Sequence, residues 1–93
     1  MATRLRVEDR LEGRVNFGAW KERIISVLDE VDVWDIVEKI VTIPIDQTQL
    51  PAFKRKNAKA KRLILDGIKD HVILYVRGKD HAFEMREALT KLY

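Results

Sequence analysis

The 93-residue sequence contains no cysteine, so it can form neither a disulfide bond nor a thiolate metal site. Its four glycines are scattered and form no glycine-rich phosphate-binding loop. No apolar run approaches the roughly 18–20 residues that a membrane-spanning helix needs. The N-terminus is charged throughout and lacks the apolar segment of a secretory signal. These absences predict a protein of the cytoplasm or nucleus, without a membrane partner.

Groups that carry out catalysis or bind metals are also scarce. Ser26 is predicted to lie on an exposed helix face, and no histidine is near it in the sequence. His71 and His81 are ten residues apart, which is not the i, i+4 spacing of a helical metal-binding pair. The acidic residues fall on predicted outer faces, where nothing apolar would raise a pKa. We therefore expect no enzymatic activity, catalytic residue, cofactor, metal ion or small-molecule substrate.

The composition is that of one small, soluble, helix-rich domain over residues 1–93, with 46% hydrophobic and 35% charged residues. A chain of this length has one core and little room for a deep catalytic cleft. The first ten residues or so are expected to be loosely ordered. The last predicted helix reaches Tyr93 without a glycine or proline stop signal, so we expect the chain to be cut from a longer protein.

The clearest helical pattern lies at residues 16–37. At about 100° per residue, the large apolar side chains of residues 17–31, apart from Ile25, fall on one stripe, and most of the acidic ones lie opposite. Asn16 is placed to cap this helix at its N-terminus. Trp20 and Trp34 can each bury about 200 Å², and we expect them to organise the core. The predicted core comprises Phe17, Trp20, Ile24, Val27, Leu28, Trp34, Ile64, Ile68, Met85 and Leu89.

The remaining helices are predicted at residues 33–39, 52–69 and 71–76, with a fifth that begins after Asp80. Pro51 suits the first turn of the helix over 52–69. Asp70 and Asp80 are predicted to cap the last two helices. Residues 71–76, HVILYV, fit a strand equally well. Together these segments predict an all-α fold, a compact bundle of about five helices.

Residues 40–53 are the least regular part of the sequence. Residues 40–43 have β-branched character, but Pro44 cannot donate to a strand ladder, and no convincing partner strand exists. We therefore expect an ordered connector in which Leu50 and Phe53 point toward the core.

Charge is distributed unevenly along the chain, whose net charge is +3. Residues 54–62 carry six basic residues and no acidic one, whereas residues 29–46 carry six acidic residues and one lysine. This bipolarity suggests either an anionic partner or another copy of the chain. Arg55, Lys59 and Arg62 are candidate phosphate contacts, and the basic run also resembles a nuclear-import signal. No aromatic residue is interleaved for base stacking, so a solvated helix face is an equally natural interpretation.

Two apolar residues lie outside the predicted stripes. Ile25 interrupts the polar face of the first helix, and Phe83 lies off the apolar face of the last one. Exposed apolar residues on helices are how a small domain recruits neighbours. Ile25 and Phe83 are therefore the candidate self-association residues.

The order of several short motifs resembles the opening of copia-type retrotransposon Gag polyproteins. Leu11-Glu-Gly13, Asn16-Phe17, Trp20-Lys21 and Trp34-Asp-Ile-Val37 come first. The match continues with Asn57-Ala-Lys-Ala60, the apolar residues 63–65, Ile68, Val76, Ala82-x-x-Met85 and Leu89-x-x-x-Tyr93, and so covers residues 11–93. Family members often carry tryptophan at the position of Met85 and a serine-rich turn at that of Asp66-Gly67.

The resemblance implies the N-terminal capsid-like part of a Gag protein, with the fold of a retroviral or retrotransposon capsid N-terminal domain. It also implies self-association into virus-like particles that package element RNA in the cytoplasm. The partner would be a homo-oligomeric capsid lattice, with weak RNA contact. The family's C-terminal Cys/His zinc knuckle has no counterpart here. The alternative is a domesticated Gag-derived adaptor or nucleic-acid-binding module that acts through the basic helix 52–69.

Overall fold

The computed structural model describes residues 5–39 and 46–93, which form five α-helices and confirm the predicted all-α bundle. The helices are α1 (Arg14–Glu30), α2 (Asp35–Glu38), α3 (Leu50–Asp66), α4 (Asp70–Ile73) and α5 (Ala82–Leu92). A 3-10 helix at Val7–Asp9 precedes them, in the part expected to be loosely ordered. The connector predicted at 40–53 lies outside the described residues over 40–45, and its last residues belong to α3.

The start of α1 differs from the prediction. The helix begins at Arg14, so Asn16 is its third residue and not its N-cap. The Asn16 side-chain oxygen accepts hydrogen bonds from the backbone N–H groups of Glu12 and Gly13, at 3.0 and 3.3 Å. Its Nδ2 donates to the Arg10 carbonyl at 2.9 Å. The polar side chain therefore satisfies free backbone groups by reaching back along the chain, as the third residue of a capping box does.

The end of α1 is a Schellman motif with aspartate in the left-handed position. Asp32 has φ +64°, a region that glycine or asparagine usually occupies. The Val33 N–H donates to the Leu28 carbonyl at 2.9 Å, and the Asp32 N–H donates to the Asp29 carbonyl at 3.0 Å. Val33 and Leu28 are both buried, which supplies the apolar contact that accompanies this motif.

The predicted caps of the last two helices are wrong. Asp70 is the first residue of α4, and the N-cap is Lys69, whose side chain makes no capping hydrogen bond. At α5, the Ala82 N–H donates to Oδ1 of Asn57 on α3, and Nδ2 of Asn57 donates to the Asp80 carbonyl, both at 2.9 Å. A side chain from a neighbouring helix thus adds to the local capping box, in which the His81 N–H donates to Oε1 of Glu84 at 3.2 Å. Residues 70–73 are helical and turns follow them, so the strand alternative for this segment is also wrong.

A single apolar core joins α1, α2, α3 and α5. Eight of the ten predicted core residues are buried, and Trp20 has only 3% of its surface exposed. Phe17 and Trp34 are half-buried and pack against the core from its edge. At this edge the Arg86 guanidinium covers the Trp34 ring, 5.2 Å from the ring centroid. Further residues outside that predicted core set are also buried, among them Leu11, Val37, Val72, Val76 and Ala82.

The segment before α1 is held against the turn after α3. The Leu11 N–H donates to the Gly67 carbonyl, and the Lys69 N–H donates to the Leu11 carbonyl, both at 2.9 Å. The Trp20 indole N–H donates to the same Gly67 carbonyl at 2.7 Å. Both lone pairs of that carbonyl are therefore used. Gly67 suits this crowded place because a Cβ there would lie only 3.2 Å from Cδ1 of Ile24.

Candidate interaction surfaces

Ile25 lines a small groove of about 10 Å³ between α1, α2, α3 and α5. The residue is half-buried, so the expectation of a freely exposed side chain is wrong. Trp20, Trp34 and Arg86 also line the groove. Arg86 crosses it, since its guanidinium donates to the Glu38 carbonyl at 3.2 Å while it covers the Trp34 ring. Ile25 thus forms part of an apolar depression with a cationic side chain at its border.

Phe83 lies in a different depression, a cleft of about 630 Å³. Its apolar lining comes from three helices: Ile36 of α2, Phe53 of α3, and Phe83 and Ala88 of α5. The polar residues that line it are Asn57, Lys79, His81, Glu84, Glu87 and Lys91. Phe83 is half-buried, and this cleft and the Ile25 groove share no lining residue. The two candidate self-association residues therefore belong to two surfaces.

One side of the cleft is fixed by interactions of His81. Its ring lies against Phe53, with the ring centroids 6.3 Å apart. Its backbone N–H and its Nδ1 both lie 3.2 Å from Oε1 of Glu84. The hydrogen bond from the His81 side chain is the main reason why the pKa of the exposed Glu84 carboxyl is below its ordinary value. The first turn of α5 therefore presents an anionic carboxylate beside an aromatic wall.

The basic face of α3 consists of Lys54, Arg55, Lys59 and Arg62, all exposed. Arg62 pairs with Asp66 at 3.7 Å. Within the described residues, Lys54, Arg55 and Lys59 make no ion pair closer than 4 Å. The structure thus places the three candidate phosphate contacts on one exposed side of one helix, as the periodicity predicts.

The acidic corner consists of Asp29, Glu30, Asp32, Asp35 and Glu38, at the end of α1 and in α2. All five are exposed, and no basic residue occurs between positions 29 and 38. Asp35 pairs with Lys56 of α3 at 2.8 Å. The other four carboxylates form no ion pair with a described residue. The acidic corner and the side of α3 therefore adjoin each other.

An exposed apolar group that sequence reasoning missed includes Val15, Leu74 and Tyr75, which are 89%, 60% and 53% exposed. Val15 lies in the first turn of α1, and the other two lie in the turns after α4. Tyr93 contacts this end of α1, with its ring centroid 5.9 Å from that of Phe17. Burial, and to a lesser extent the charge of Tyr75, raises the pKa of Tyr93. Val15 is recognisable from the sequence as an exposed helical residue once the helix is extended at its N-terminus. It lies in the first turn of α1, whereas the predicted helix begins at residue 17.

The residues considered for chemistry are dispersed. Ser26 is exposed on α1, His71 lies 2.6 Å from the Glu12 carbonyl, and His81 faces Glu84. Over residues 5–39 and 46–93, no three metal-ligating side chains of His, Asp or Glu come together. No helix in the same part of the chain is long and apolar enough to cross a membrane.

Comparisons with family models, with curated proteins and with solved structures found no match to this chain.

Proposed function

We propose that this chain is a structural Gag domain of the copia retrotransposon type that self-associates into virus-like particles packaging element RNA. The motif order in residues 11–93 supports this proposal, and so does the all-α bundle of five described helices. Each contact between copies is weak, and the symmetry of a closed shell multiplies it.

The observation that carries the proposal is the cleft around Phe83. Its lining combines apolar residues with charged and polar ones, and both kinds of residue occur in protein–protein interfaces. The apolar lining is built by three helices at once, so its shape depends on the fold and is the same in every copy. The apolar groove around Ile25 supplies a second contact, and a subunit with two distinct contacts can build a closed assembly.

The test is the double variant Ile25→Asp/Phe83→Asp of this chain, examined for particles by electron microscopy. We expect particles to disappear because docking would then remove a carboxylate from water in place of an apolar side chain, which costs free energy. Both residues are half-buried, so circular dichroism must show that the variant keeps its helices. The matched control is Val15→Asp/Leu74→Asp, which places the same charges on exposed apolar sites outside both depressions. Normal particles from the helical Ile25/Phe83 variant would contradict the proposed contacts.

The exposed basic face favours a second candidate function, a domesticated adaptor or nucleic-acid-binding module that acts through α3. In that case Arg55→Ala and Lys59→Ala should each weaken binding to single-stranded RNA. The slope of log affinity against log salt should fall by about 0.7 for each lost phosphate contact. Sedimentation against concentration separates the two functions, because a monomeric module does not self-associate. RNA binding that ignores salt would exclude the second candidate.

A further inference from the structure

The acidic corner is placed where a helix tolerates negative charge least. The last turn of α1 contains Asp29 and Glu30 and no basic residue. The free backbone carbonyl groups at this C-terminal end of the helix carry partial negative charge. The interaction of both carboxylates with the helix dipole is therefore unfavourable. Asp32 adds a third negative charge in a left-handed backbone conformation that glycine adopts more easily. Local departures from good helix design of this kind concentrate at functional surfaces.

The basic face of α3 has the complementary excess of charge. Lys54, Arg55 and Lys59 are exposed, and no described acidic side chain lies within 4 Å of them. From Lys54 to Lys59 the helix rises by about 7.5 Å, so the three cations cover one short stretch. The monomer therefore carries two adjoining surfaces of opposite sign, and each is largely unpaired within its own chain.

We propose that the acidic corner of one copy binds the basic face of α3 on a second copy. The inference rests on the proposed self-association and names its charged contact. The ion pair between Lys56 and Asp35, at 2.8 Å, already joins the two regions within one chain. A basic side chain of α3 is therefore long enough to contact a carboxylate of the acidic corner. Between copies, Asp29 and Glu30 meet Arg55 and Lys59, and charge sets the register of the contact.

A second copy fits these observations better than nucleic acid does. A nucleic-acid strand along the basic face would bring its phosphates beside the acidic corner, which adjoins α3 and repels them. No aromatic side chain occurs between positions 54 and 62 to stack on a base. A second copy instead uses both surfaces, because each copy carries one acidic surface and one basic surface.

The experiment uses two charge-reversed variants of the 93-residue chain, Arg55→Glu/Lys59→Glu and Asp29→Lys/Glu30→Lys. Self-association is measured by sedimentation equilibrium at protein concentrations up to about 1 mM, in about 0.05 M and about 0.5 M salt. We expect the wild-type contact to weaken at high salt, and each variant alone to associate about tenfold more weakly. An equimolar mixture of the two variants should restore the contact, because the reversed surfaces complement each other. The Asp29/Glu30 variant should fold well, since lysines suit the last turn of a helix.

The matched control is Arg14→Glu/Arg77→Glu, which changes net charge as much as the α3 variant does, at exposed sites outside both surfaces. Its association should match that of the wild type. Association that ignores both reversals overturns this inference but leaves the proposed function intact. A loss in the variants that mixing does not restore also overturns it, and RNA binding lost only in the Arg55/Lys59 variant then identifies nucleic acid as the occupant. A wild-type chain that never self-associates contradicts the proposed function itself.

Discussion

At the scale of single residues, Asp32 is the position where backbone and side chain conflict most clearly. The left-handed conformation costs an L-residue about 1–2 kcal/mol relative to the right-handed one. The flanking hydrogen bonds of Val33 and Asp32, and the burial of Val33, hold it in place. A helix end at residues 30–31 could be predicted from the apolar stripe. The absence of glycine concealed the type of ending, because the usual sequence signal for a Schellman motif is missing.

Asp32→Gly should stabilise the protein by about 0.5–1 kcal/mol, because glycine adopts positive φ without a Cβ clash. The free energy of unfolding from urea titration measures the change. Asp32→Asn separates the backbone contribution from the charge, since asparagine keeps the shape and removes the carboxylate. Gly78→Ala is the control and should lower the free energy of unfolding, because Gly78 has φ +84°, which alanine adopts only with strain. No atom of the described residues would contact a Cβ at this position, so the effect reports the backbone conformation alone. A loss of stability in Asp32→Gly would contradict the strain argument.

At the scale of elements, the helices could be predicted from the sequence and their ends could not. The apolar stripes of α1, α3 and α5 repeat with the period of a helix, and each predicted helix is present. The sequence predicts a cap only from residues directly beside each helix, and for the last two helices these are Asp70 and Asp80. Beside the local capping box of His81 and Glu84, α5 is capped by Asn57, 25 residues before Ala82. Only the tertiary fold brings that side chain to the helix end.

Asn57→Ala should destabilise the protein by about 1–2 kcal/mol, because the Ala82 N–H and the Asp80 carbonyl both lose their partner. Amide hydrogen exchange at Ala82 should accelerate, which locates the effect at the start of α5. Asn57→Asp retains the acceptor for Ala82 but loses the donor to Asp80, and should fall between wild type and alanine. Unchanged exchange at Ala82 in the alanine variant would show that this cap contributes nothing.

At the scale of the whole molecule, two tryptophans organise one core, but they differ in role. Trp20 is buried, and its indole N–H donates a hydrogen bond to the Gly67 carbonyl, so it joins α1 to the end of α3. Trp34 lies at the edge, where the groove of Ile25 and the acidic corner meet. Helical periodicity could predict that both face inward. It could not predict that Trp34 is only half-buried, with its ring covered by Arg86, which is 52 positions away in the sequence.

Trp20→Ala should reduce the free energy of unfolding by about 3–5 kcal/mol, a large part of what a domain of this size has. The reasons are the cavity left by a buried indole and the lost donor to Gly67. Trp34→Ala is the matched control and should cost clearly less, because its ring is only half-buried. Denaturant titrations followed by circular dichroism measure both. Equal losses for the two variants would contradict the different roles given to them.

The backbone pairing of Leu11 with Gly67 and Lys69 has a consequence for the order of folding. It joins residues more than fifty positions apart, and closing so long a loop costs conformational entropy before any contact rewards it. The helices contain only local contacts and can form early, whereas this pairing must wait until α1 and α3 have docked. We expect the segment around Leu11 to be the last part to attach on folding and the first to detach under mild stress. The apolar side chain of Leu11 is fully buried, so each detachment of this segment exposes the core at the contact between Leu11 and residues 67–69.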